Sequence, residues 1–96
     1  MPQVKYAPSA IRDLQRLREF LRSKNPGLAQ RAAETIMKAV QVLGLQPQIG
    51  RPVDDMPDEY REWVIDFGDS GYVARYRFDG EAVIILAVRH QKELGY

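Results

Sequence analysis

The dipeptide Asp79-Gly80 constrains this chain more than any other feature. It separates Tyr72–Phe78 from a second run, Glu81 to about His90, in which Val83 to Val88 have no polar break. Asp-Gly between two such runs predicts a β-hairpin with a two-residue turn. That turn sets a register. Phe78 is expected opposite Glu81, Tyr76 opposite Val83, Ala74 opposite Ile85 and Tyr72 opposite Ala87. Apart from Glu81 this face is apolar or aromatic, the natural floor for packed helices. The other face pairs Arg77 with Ala82, Arg75 with Ile84 and Val73 with Leu86, with Val88 and His90 further along. The continuous apolar run predicts a central last strand.

Upstream, Tyr60 to Phe67 alternates, with Arg61, Trp63, Ile65 and Phe67 on one side, and Gly68–Gly71 is a turn. Before it the period is helical. Ile11, Leu14, Leu17 and Leu21 recur at three and four residues, widened by Phe20, after a Pro8-Ser9 start in which the serine is a candidate cap. Ser23–Gly27 breaks that helix at Pro26. Leu28, Ala32, Ile36, Val40 and Leu43 form a second amphipathic face running to about Leu45. A short link between two such helices predicts an antiparallel hairpin. Gln46–Glu59, with three prolines and four acids, reads as a loop, and Val4–Tyr6 as a short strand. The order is β-α-α-β-β-β. It describes one α+β domain over residues 1–96, a helical hairpin on one face of a small, mostly antiparallel sheet.

Ninety-six residues suffice for one core. No apolar run reaches the ~18 residues of a membrane span. No charged segment followed by an apolar stretch opens the chain, and there is no cysteine. A cytoplasmic location without disulfides is the expectation. With one histidine and no cysteine, neither a metal site nor a cofactor is expected. The net charge of +1 gives little overall pull on nucleic acid, but the charge is segregated. Residues 12–31 are rich in arginine, 54–69 are acidic, and the last eight residues are basic again.

The second sheet face is the first functional candidate, because no helix remains to cover its apolar centre of Val73, Ile84, Leu86 and Val88. Arg75 and Arg77 have a structural alternative, pairing across the sheet with Glu62 and Asp66. Ser9, Ser23 and Ser70 have no neighbouring His/Asp pattern that would mark a catalytic triad.

Five motifs in order carry a family resemblance over nearly the whole chain. "YAPSAIRDLQRLREFL", "NPGLAQRAAETI", "IGRPV", "YREWVIDF" and "YVARYRFDGEAVIILAVRHQKELGY" resemble the RelE/ParE toxins of toxin-antitoxin systems. "GRPV", "YRFDG" and "VRHQKE" are most similar to the ParE and plasmid-stabilisation branch. The resemblance implies a bacterial growth-inhibiting toxin, in a hetero-oligomer with an antitoxin whose disordered tail orders on binding. Val73, Ile84, Leu86, Val88, Leu14 and Leu17 are the expected receivers of that tail. ParE-like toxins poison DNA gyrase as protein inhibitors, and Arg61, Arg75, Arg77, Arg89, His90, Gln91 and Lys92 are the expected target contacts. Deleting His90–Tyr96 is then expected to abolish toxicity and leave antitoxin binding largely intact. RelE-like toxins instead cleave mRNA on the ribosome. In that alternative Arg61, Arg77 and Arg89 would clamp phosphate, His90 would be acid or base, and Tyr96 would stack or donate. Residues 46–60 contain no lysine and Arg51 as their only cation, which disfavours an RNA phosphate there. Gyrase poisoning is therefore the preferred reading. A relic that only binds antitoxin and represses their shared operon is a third.

Overall fold

The structure is a computed structural model and describes residues 2–92. Tyr96 lies outside the described residues. Seven elements follow one another: β1 (Gln3–Tyr6), α1 (Pro8–Lys24), α2 (Pro26–Leu45), β2 (Arg51–Pro52), β3 (Tyr60–Phe67), β4 (Ser70–Phe78) and β5 (Ala82–His90). The strands form one mixed sheet in the order β1-β5-β4-β3-β2. Only β1 and β5 run parallel. The expected long loop contains the two-residue strand β2, whose Arg51 and Pro52 pair with Glu62 and Arg61 on the edge of β3. An edge is where proline is tolerated in a sheet.

The helices begin and end where the chain chemistry requires. Pro8 opens α1, where its missing N–H costs nothing. Ser9 does not cap it; the N-cap is Ala7 and has no side-chain bond. Asn25 alone separates the helices. Its N–H closes α1 on the Leu21 carbonyl, and its Oδ1 accepts the N–H groups of Gly27 and Leu28 at the start of α2. The two helices pack on one face of the sheet. Leu17, Ile36, Val40 and Leu43 meet Ile65, Tyr72, Ala74, Tyr76, Val83, Ile85 and Val88 in one core. Phe20 is not part of it. It is 59% exposed, with the Lys24 ammonium 5.1 Å from its ring centre.

The β4–β5 register differs from the one a two-residue turn would set. Phe78 faces Val83, so four residues, Asp79–Ala82, make the connection. The Asp79 carboxylate accepts the N–H groups of Glu81 (2.8 Å) and Ala82 (3.0 Å), which turns the chain over its own side chain. This shift of two residues keeps every side chain on its expected face. A β-bulge then adds a third. Tyr76 faces Ile85 but Arg75 faces Ala87, leaving Leu86 as the extra residue. An odd shift reverses the faces beyond it. Val88 and His90 therefore align with Ala74 and Tyr72 and lie on the helix side, not on the open side as the simple hairpin predicts.

Candidate functional site

The bulge occurs where β1 runs out. β1 pairs with β5 only as far as Tyr6 opposite Ile85, which leaves the far half of β5 with a bare edge. Helix α1 supplies the missing partners. Ala7 N–H donates to the Ile85 carbonyl, Ser9 Oγ donates to the Leu86 carbonyl at 2.6 Å, and Asp13 Oδ2 accepts the Val88 N–H at 3.0 Å. Asp13 Oδ1 also lies 3.4 Å from the Arg89 guanidinium. Asp13 is the one buried charged residue among the described residues. Its signal in the sequence is its place between Ala10 and Leu17, an acid on the apolar side of the helix.

The candidate effector residues fall into separate environments. Arg61 lies at the loop end of β3, on the helix side, and donates to the Gln48 (3.2 Å) and Gly50 (2.7 Å) carbonyls, holding the loop against the sheet. Arg75 and Arg77 lie on the open face. Arg75 meets Glu62 at 3.0 Å, as the cross-strand alternative expects. Arg77 meets Glu59 at 2.8 Å rather than Asp66, with Asp79 at 3.9 Å. Glu62 also takes Arg51 at 3.3 Å, so the cations of this face are matched by carboxylates. Arg89 is held under α1 by Asp13. Gln91 and Lys92 are exposed beyond the end of β5.

His90 is bracketed by its own neighbours. Its ring stands edge-on to Tyr72, centroids 5.4 Å apart. Nε2 lies 2.9 Å from Ser70 Oγ, and Nδ1 accepts the Lys92 N–H at 3.1 Å. Ser70 and the histidine are thus adjacent, which the sequence pattern did not signal. An Nδ1 that accepts a backbone N–H carries no proton, so in the neutral ring the proton sits on Nε2 and points at Ser70. In that tautomer His90 donates to Ser70 Oγ rather than accepting its proton. Beside it runs a groove of about 540 Å³ between α1 and the β3–β4 turn. Phe20, Leu28 and Phe67 form its apolar wall, and Arg16, Asp69, His90 and Lys92 are charged or polar groups along it.

The expected antitoxin receivers divide the same way. Val73, Ile84 and the bulge residue Leu86 remain half-buried, with Val73 and Ile84 on the open face beside the 42% exposed Val64. Val88 has no exposure and Leu17 only 6%, so neither offers a surface. The bulge turned Val88 inward, and Leu17 lies on the core side of α1. Leu14 is half-buried beside the core.

A sequence profile described as the ParE toxin of the type II toxin-antitoxin system parDE matches residues 4–95. The chain belongs to the ParE toxin family. Two relatives from Caulobacter vibrioides carry RelE names. Toxin RelE3 is 36% identical over 93 residues, 97% of this chain and 98% of the relative. Toxin RelE1 is 36% identical over 84 residues, 88% of this chain and 87% of the relative. Among solved structures, a chain of the chromosomal ParDE system of P. aeruginosa superposes with a TM-score of 0.78 at 21% identity, covering 94% of this chain and 96% of that one. A chain of the E. coli DinJ–YafQ complex gives 0.60 at 11% identity over the full length of both. This ParE-family protein is therefore a type II toxin, built as two helices on a five-stranded mixed sheet, and its family implies an antitoxin partner.

Proposed function

We propose that this toxin arrests bacterial growth by poisoning DNA gyrase in the cytoplasm, as a protein inhibitor rather than a nuclease. The exposed segment leaving β5, Gln91 and Lys92, is its leading contact, with Arg75 and Arg77 a separate set of cations on the open face. One observation carries the preference: among the described residues, His90 and the phosphate clamps Arg61 and Arg77 do not converge, and Arg89 beside His90 is held by Asp13. His90 stands opposite Tyr72, and Arg77 lies five residues further along β4. That is about 16 Å of strand and the opposite face of the sheet. A general acid must come within hydrogen-bond reach of the atom it protonates while a cation holds the same phosphate. Arg61 is turned toward loop carbonyls, and Arg77 sits against Glu59. Carboxylates beside the cations would repel an RNA phosphate.

The antitoxin tail is assigned to the open face at Val73, Ile84 and Leu86, with Val64 beside them. Ribosome-dependent mRNA cleavage is the second reading, favoured by the RelE names of the two Caulobacter relatives. Inducing the toxin in cells separates the two. The gyrase reading expects linearised plasmid and a DNA-damage response with intact messages. Messages cut within their reading frames, without DNA breaks, would contradict it.

A further inference from the structure

His90 has a feature that neither reading uses. It closes a three-residue ring with the chain that follows it. Gln91 N–H still donates across the sheet to the Gly71 carbonyl at 2.8 Å, the last backbone bond of β5. The next donor, Lys92 N–H, has turned back onto His90 Nδ1 at 3.1 Å, while Nε2 is anchored on Ser70 Oγ at 2.9 Å. One imidazole thus joins the start of β4 to the backbone of the departing segment.

We propose that neutral His90 is a positioning residue, a proton-sensitive clasp that fixes the direction in which the effector segment leaves the sheet. The chemistry is one-sided. Nδ1 accepts the Lys92 N–H only while it carries no proton. In the imidazolium both nitrogens are donors, so Nδ1–H and Lys92 N–H face each other and the contact opens. The Ser70 contact survives, because a serine oxygen accepts from either form of Nε2–H. Acid therefore releases Lys92 without releasing the ring. The charged groups that share its groove are Arg16 from α1, Asp69 from the β3–β4 turn and Lys92 itself. Tyr72 contributes an aromatic edge and no charge.

The functional half of this inference rests on the gyrase reading; the clasp does not. Both are tested on the full-length chain. Ring-nitrogen NMR shifts of 15N-labelled toxin should show the Nε2–H tautomer at pH 8 and the imidazolium at pH 5. The Lys92 amide proton should move upfield between them as its bond is lost. His90→Asn places a side-chain oxygen near the position of Nδ1, and His90→Ala places nothing there. The expected result is a Lys92 amide that stays bonded at both pH values in H90N and at neither in H90A. Gyrase inhibition should then be weaker in H90A than in H90N, and should fall in acid for the wild type but not for H90N. An Nδ1–H tautomer at pH 8, or a Lys92 amide indifferent to pH and to H90A, would overturn the clasp. Equal inhibition by H90A and H90N would overturn the positioning role. A clasp seen in the spectra of a toxin that never inhibits gyrase supports the clasp and removes the gyrase reading.

Discussion

Tyr76 has no exposed surface, yet its hydroxyl is fully used. It donates to the Pro47 carbonyl at 2.7 Å and accepts the Gly50 N–H at 3.0 Å, fastening the Gln46–Gly50 loop to the centre of the sheet. Tyr76→Phe leaves both loop groups without that partner and should cost about 1–3 kcal/mol in urea unfolding. Gly50 is required by the same contact. A Cβ there would stand 2.6 Å from the Tyr76 oxygen and 2.7 Å from the Glu62 carbonyl, so Gly50→Ala should destabilise by about 1–3 kcal/mol. Burial raises the Tyr76 phenol above its ordinary range, against smaller lowering by the Gly50 bond and the Arg61 charge. A phenol raised in the folded state binds its proton more tightly there than in the unfolded chain. Its stabilisation is fully present below pH about 10 and is lost as pH rises through the folded value. Urea midpoints measured from pH 8 to 11 should fall more steeply for the wild type than for Y76F. Tyr6, also raised by burial, contributes the slope that remains.

At the scale of elements, the decisive contact is α1 on the bare edge of β5. Asp13→Ala strips the Val88 N–H and Arg89 of the same partner and should cost about 2–3 kcal/mol in equilibrium unfolding. Asp13→Asn keeps an oxygen for Val88 and should cost less. This seam also explains what the sequence could and could not show. Both helices, the Asn25-Pro26 break and the alternation of β3 are local patterns, and they were legible. The two-residue turn was a local inference that failed because the Asp79 carboxylate, held below its usual range by the N–H groups of Ala82 and Glu81, builds a longer turn. The bulge at Leu86 has no local signal, since Val83–Val88 is uniformly apolar. It coincides with contacts from Ser9 and Asp13, some 75 residues earlier in the chain. Misplacing it moved Val88 and His90 to the wrong face. For the same reason the pairing of Ser70 with His90 was invisible.

Over the whole molecule the two sides of the sheet have separate tasks. The helix side holds the core and, at its margin, the His90 groove. The open side presents a modest apolar strip between matched charges. The expected boundary between stability and function therefore moves from His90 to the residue after it. His90 packs on Tyr72, so a truncation beginning at His90 would disturb the core margin as well as the effector segment. A chain ending at His90 should keep its fold by circular dichroism and its antitoxin affinity within about threefold, a change under 1 kcal/mol.

Gyrase poisoning is tested most directly in a reaction of purified gyrase with ATP and supercoiled plasmid. Full-length toxin and the chain ending at His90 would be added in parallel, and linear DNA would be measured after protein removal. Double-strand breaks or lost supercoiling are expected with the full-length toxin, and neither with the truncated one. Unaltered gyrase activity in the presence of folded, antitoxin-binding toxin would contradict gyrase poisoning.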